Sequence, residues 1–331
     1  MARLETTIAK APSLESKLAQ LRQLRNETVS SQNIDKLRKA LRDRSNLVVA
    51  EAAEAVGHLG LTDLAPELVA AFERFMIDPI KSDKICRAKI AIAQALDKLE
   101  YQRPDVFLGG IRHVQPEPVW GGQQDTAVPL RGACAFALVR IGHHGLLALL
   151  VDLLTDTEKG ARKSAAHALA YNATQAAGLV LRLKARVGDK DPEVTSECLS
   201  ALLKFDPQGE LPFVAQFLES PDEAIREAAV LALGESRRPE AFPVLKDFWE
   251  KQIGTALQEA IFVAMALLRL PTANEFLLSL LTEGPFGVAA AALSALAVHR
   301  HDARLRERVA AAVAESRALR VQFEERFRVN D

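Results

Sequence analysis

Ala228-Ala229-Val230-Leu231-Ala232-Leu233-Gly234 is a block of small and aliphatic residues that decides the fold, because it recurs. Related Ala-centred blocks surround Ala55, Ala95, Ala137, Ala168, Ala201, Ala264 and Ala295. With Ala232 included, successive anchors stand 40, 42, 31, 33, 31, 32 and 31 residues apart. A fixed period near 31 marks a solenoid, in which each unit buries its apolar face only by stacking on its neighbours. An alanine methyl at the anchor lets helices of adjacent repeats come close.

Around each anchor the pattern reads as two amphipathic helices joined by a tight turn. In the sixth unit Leu211, Phe213, Val214, Phe217 and Leu218 form the apolar stripe of the first helix. Ser220-Pro221-Asp222-Glu223 then opens the second, with Ser220 expected as the cap, Pro221 at the first helical position and Glu223 closing a capping box. Asp191-Pro192-Glu193 opens the fifth in the same way, with Asp191 as the cap.

The acidic turn Asp222, the pair Ile225-Arg226, then Ala228-Ala229 and Ala232-Leu233-Gly234 resemble the short bacterial HEAT-like repeats, including those of phycobilin lyases. The resemblance runs from about Ile34 to Val298 and implies an all-α fold, a right-handed α-solenoid of about eight helical-hairpin repeats with helical caps. Val49, Thr195, Gln258 and Ala289 stand at the Arg226 position, so any ladder of Asp–Arg contacts along the stack is interrupted there. The expected organisation is an N-terminal helical cap over 1–33, the solenoid over 34–300 and a C-terminal capping helix over 301–331. Val309, Val313, Phe323 and Phe327 supply the apolar residues of that last helix.

The bulk composition fits. Of 331 residues 49% are hydrophobic, yet only two are Trp and two Tyr, so the core is aliphatic. Lys and Arg number 42 against 43 Asp and Glu, which removes any bulk attraction to nucleic acid or anionic lipid. Cys86, Cys134 and Cys198 are odd in number, far apart and set in helical patterns, and read as core residues of a reducing compartment. The first 25 residues lack the apolar core of a secretory signal, and the longest uncharged apolar run, Val288 to Val298, is too short to span a bilayer. A cytoplasmic location is expected, with no membrane association.

The period breaks twice, at the intervals of 40 and 42. The extra residues fall between the paired helices of the second and third repeats, near 77–84 and 114–125. Turns of neighbouring repeats emerge on one edge, so the two insertions are expected to meet, and insertions of this kind often form a binding face. The second, Val114 to Asp125, contains Pro116, Glu117, Pro118, Trp120 and Gly121-Gly122. Two prolines hold it extended, the glycines permit a sharp turn, and Trp120 is either an interface anchor or a plug between repeats. Lys84, Lys89, Arg131, Arg162 and Lys163 are expected to flank it and to receive an acidic segment or phosphate, with Glu117 in the same loop.

Chemistry is sparse. No phosphate-binding loop, zinc-protease or serine-hydrolase motif occurs, and Ser164 and His167, one helical turn apart, have no legible third partner. Deoxyhypusine hydroxylases of similar build carry His-Glu pairs for a di-iron site, and no His-Glu pair occurs here. Alkylpurine DNA glycosylases use a basic groove with aromatics, which a neutral, aromatic-poor chain does not offer. Bilin lyases share the repeat, but nothing marks a bilin pocket. The expectation is therefore a non-enzymatic adaptor without cofactor or metal, holding a protein partner on its concave face and inserted loops. A nucleic-acid binder and a bilin-lyase-like enzyme subunit stand as alternatives.

Overall fold

The computed structural model describes residues 13–251 and 257–328. The chain is an all-α repeat protein, 74% helical, and it divides by its internal contacts into two compact units, Met1–Ala168 and Leu169–Asp331. The division falls within a helix of the fourth repeat. Portions of the expected caps, residues 1–12 and 329–331, lie outside the described residues.

The first unit runs α1 (Leu14–Leu24), α2 (Ser31–Leu41), α3 (Asn46–Leu59), α4 (Ala65–Met76), α5 (Pro79–Ser82), α6 (Arg87–Lys98) and α7 (Asp105–Ile111). A hairpin of β1 (Pro116–Val119) and β2 (Gly122–Asp125) follows, then α8 (Val128–Arg140), α9 (Leu146–Leu154) and α10 (Lys159–Asn172). The second unit holds α11 (Gln175–Val187), α12 (Pro192–Phe205), α13 (Leu211–Ala215), α14 (Glu223–Glu235) and α15 (Ala241–Lys251). It ends with α16 (Gln258–Leu267), α17 (Pro271–Glu283), α18 (Phe286–Leu296), α19 (Ala303–Ala312) and α20 (Arg317–Arg326).

All eight anchor alanines lie in the second helix of a repeat and are at most 2% exposed. These second helices stack in a row, α3 on α6 on α8 in the first unit and α12, α14, α16 and α18 in the second. The first helices lie outside that row, α2 on α3, α4 on α6, α7 on α8, α11 on α12 and α17 on α18. A row touched from both sides must be small-residue-rich. Gly234 shows why: a Cβ built on it would sit 2.5 Å from Cα and the carbonyl oxygen of Ala264. No side chain fits there, so α14 and α16 pack backbone to backbone.

Three local expectations need correction. The cap of α14 is Asp222, whose Oδ1 accepts from Ala224 N at 2.9 Å, while Ser220 Oγ accepts only from Asp222 N. The cap stands two residues later than expected, and the carbonyls of Ser220 and Pro221 before it accept from Arg226 Nη1. The stripe Leu211 to Leu218 is not one α-helix: after α13 it tightens into a 3-10 turn over Gln216–Glu219. The C-terminal helix is two helices: α19 ends at Ala312, and Ser316 caps α20 by accepting from Leu319 N. Val309, Val313 and Phe327 are buried between them and α17 and α18.

Candidate functional site

The two insertions meet, as the shared edge requires. Ile85 N donates to Glu117 Oε1 at 2.6 Å, and Gln115 Nε2 donates to Asp83 O at 2.7 Å. The second insertion is a β-hairpin with Val119 opposite Gly122 and Trp120-Gly121 as the two-residue turn. Gly121 has φ +90, which a side chain would resist. Pro116 and Pro118 are tolerated because of register. Thr126 N bonds Gln115 O, and bonded pairs alternate, so both prolines face outward, where no N–H is needed.

Glu117 is the peg of this joint. It is 8% exposed and also accepts from Gln115 Nε2 and Thr126 Oγ1, each at 2.7 Å. Burial alone would raise its pKa, but the hydrogen bonds from Thr126, Gln115 and Ile85 outweigh it and hold the carboxyl below its ordinary 4.5. Ile85 and Cys86 sit in the left-handed region, with φ of 55 and 54. That conformation costs roughly 1–2 kcal/mol per residue. It turns the Ile85 side chain out to 60% exposure. The bond to Glu117, and that from Cys86 N to Asp83 O at 3.1 Å, hold it there.

The expected basic flank is corrected by this geometry, because most of its charge is spent inside the fold. Lys89 is fully buried; its Nζ lies 3.0 Å from Asp83 Oδ2 and 3.3 Å from Phe75 O. Arg131, 2% exposed, donates from Nη1 to Asp125 Oδ2 at 2.7 Å and to His113 O at 2.8 Å. Its Nε stands 3.0 Å from Asp156 Oδ2, an ion-pair distance, though too bent for a hydrogen bond. Arg162, 3% exposed, donates to Asp156 O and Thr157 O. Lys163 is half-buried. Of the seven candidate residues only Trp120 and Lys84 are exposed, and Trp120, at 105%, stands clear of the fold.

One pattern joins the three buried cations to a fourth, half-buried one. Lys89, Arg131, Arg162 and Arg226 each bond an oxygen of the residue six positions earlier, respectively Asp83, Asp125, Asp156 and Ser220. They share one position of the repeat and tie each second helix to the turn that precedes it. Arg131 also reaches forward, to the turn carrying Asp156.

The matching family model, HEAT repeats, covers residues 179–266 and 211–297. Residues 179–297 match HEAT repeats. No curated protein sequence matches it significantly. Among solved structures the chain is similar to the CpcE–CpcF complex of phycocyanin lyase from Nostoc sp. PCC7120, at 17% identity, 75% of this chain, 90% of that one and a TM-score of 0.35. The Escherichia coli protein YibA gives 16%, 87%, 97% and 0.44, and human deoxyhypusine hydroxylase 17%, 78%, 92% and 0.31. Scores this low add nothing on function.

Among the described residues no group of three His, Cys, Asp or Glu is arranged to hold a metal ion, and no helix is long and apolar enough to cross a membrane. The three cysteines are buried, as expected, although Cys86 stands in the left-handed turn before α6 and not within a helix. Burial pushes the Cys86 and Cys198 thiols up to about 12 and raises that of Cys134 as well, so none is a thiolate near neutral pH.

The joint should respond to acid in two stages. Desolvation lowers the His113 pKa below 6.5, so its neutral form is favoured in the fold. Asp125, despite burial, is held below 3.8 by the N–H groups of Gln115 and Ala127 and by Arg131. In each case the unfolded chain binds the proton first, so stability falls with pH. The His113 contribution fades as pH drops below 6.5. Those of Glu117 and Asp125 fade below their ordinary 4.5 and 3.8. A Tm level above neutrality should decline in the first window, and His113→Gln should flatten that decline. A wild-type Tm that held or rose between pH 6.5 and 5 would contradict this account.

Proposed function

We propose that the chain is a non-enzymatic scaffold that docks a protein partner on the edge built by its two insertions, with Trp120 as the anchor. The observation that carries this reading is a wholly exposed indole on a hairpin whose base is pinned by a buried carboxylate. A hairpin so fixed has little conformational entropy left to lose on binding, and Trp is the residue type most enriched among interface anchors. Ile77, Ile85 and Val119, at 73, 60 and 47% exposed, add apolar surface to the same insertions. The partner expected is one with an apolar pocket for the indole. Lys84 is left as the exposed charge among the cations first considered.

Affinity capture followed by mass spectrometry, comparing wild type with Trp120→Ala after nuclease treatment, tests the reading. A protein held by wild type should be lost or weakened by about 30-fold or more, the usual scale for a Trp anchor. The melting temperature should not move, because the side chain packs on nothing. Equal capture by both proteins would remove the hairpin from the interface. Arg131→Glu is no companion variant, since it would break the buried joint before it altered any surface.

A further inference from the structure

The second unit carries an apolar surface of its own, on α11. The helix buries Ala177, Gly178, Leu181 and Ala185 against the fold. Its other side presents Leu179, Leu183 and Val187, exposed by 61, 64 and 76%. These recur every fourth residue, so they form one stripe about 12 Å long. Outer helices of a soluble repeat normally turn charged residues to that side.

Beside the stripe lies an open cleft of about 430 Å³, lined by Arg182, Leu183, Arg186, Pro212, Phe213 and Gln216. Leu183 belongs to both. The two guanidinium groups flank one ring, with Arg182 4.7 Å and Arg186 4.9 Å from the Phe213 centroid. Arg182 is neutralised by a two-pronged bond to Glu210 at 3.0 and 2.8 Å. Arg186 is not. Its hydrogen bond goes to the neutral Gln216, and among the described residues no carboxylate pairs with it. An apolar stripe next to a held, uncompensated guanidinium is complementary to an apolar stripe bordered by a carboxylate.

We propose that this face of α11 docks an amphipathic helix of a partner protein, whose aliphatic side chains cover Leu179, Leu183 and Val187 and whose Asp or Glu meets Arg186. The mode is a helix laid along an apolar seam, with charge setting its register. It stands independently of the Trp120 hairpin.

Two fluorescent helical peptides of about five turns test it, sharing one leucine stripe at i, i+4 and i+7 and flanked by glutamate in one and lysine in the other. Fluorescence anisotropy should show the glutamate peptide binding at least about tenfold tighter. Leu183→Asp and, separately, Leu179→Asp should abolish that binding, and Arg186→Glu should reverse the preference. Both leucines are exposed, so circular dichroism of these variants should match wild type. Trp120→Ala should bind the glutamate peptide as wild type does, which separates this surface from the hairpin. Equal binding of the two peptides, binding of neither, or binding unaffected by Leu183→Asp would overturn the proposal. So would self-association in sedimentation that Leu183→Asp removes, which would make a second copy the occupant, or a preference for anionic phospholipid vesicles over the glutamate peptide.

Discussion

Replacing Arg131 by methionine is expected to destabilise the protein by about 3–5 kcal/mol, the range for breaking a buried ion pair from one side. Met keeps the apolar stem but not the guanidinium, so most of the loss is electrostatic. Asp125 and Asp156, 9% and 16% exposed, would keep their charges without the guanidinium between them. His113 O would lose its donor as well. Arg131→Lys should fall between wild type and Met, because one ammonium cannot reproduce the fork that reaches Asp125, His113 and Asp156 together. Urea unfolding followed by circular dichroism measures the difference, and a loss under about 1 kcal/mol for Arg131→Met would show that the triad is not a structural joint. The same substitution should also weaken any partner held by Trp120, because Asp125 ends the hairpin and its tether to α8 runs through Arg131.

Gly234→Ala is expected to cost about 2–3 kcal/mol, against the helix propensity that favours Ala over Gly by up to about 1 kcal/mol. The sign is decided by packing. The new methyl would meet the Ala264 backbone at 2.5 Å, and backbone cannot rotate out of the way as a side-chain tip can. Either α14 and α16 separate or the helix bends. Gly57→Ala meets Ala95 Cα at 2.9 Å and should cost less in the same direction. Gly109 in α7 has nothing within 4 Å of its built Cβ, so Gly109→Ala should be neutral or stabilise by up to about 1 kcal/mol. Thermal melts of the three variants test the idea together; a stabilised Gly234→Ala would refute backbone-to-backbone packing of the inner row.

The burial of the cations is legible in their spacing. Lys89, Arg131 and Arg162 follow one another at 42 and 31 residues, which is the spacing of the repeat, and Arg226 stands in register two repeats later. Residues that recur with the period occupy one structural position, and a position beside the acidic turn of a solenoid faces the stack. Their charge suggests a surface cluster, but their spacing groups them by place in the repeat. Trp120, by contrast, stands out in the sequence, but its two roles cannot be told apart by composition. Exposure depends on the hairpin that Glu117 pins from across the neighbouring insertion.

What the sequence determined by itself is whatever follows from a local period. The anchor spacing, the helical class, the burial of every anchor alanine and the meeting of the two insertions all come from a repeating backbone and small side chains. What only the tertiary structure decided is which side chains find something opposite them. Leu179, Leu183 and Val187 have the spacing of a core stripe, yet face outward. Arg131 has the charge of a surface residue and is buried between two carboxylates. Helical periodicity sets where a side chain points along its own helix. The element across from it is placed by stacking many residues away, and that placement decides whether an apolar face is core or contact surface.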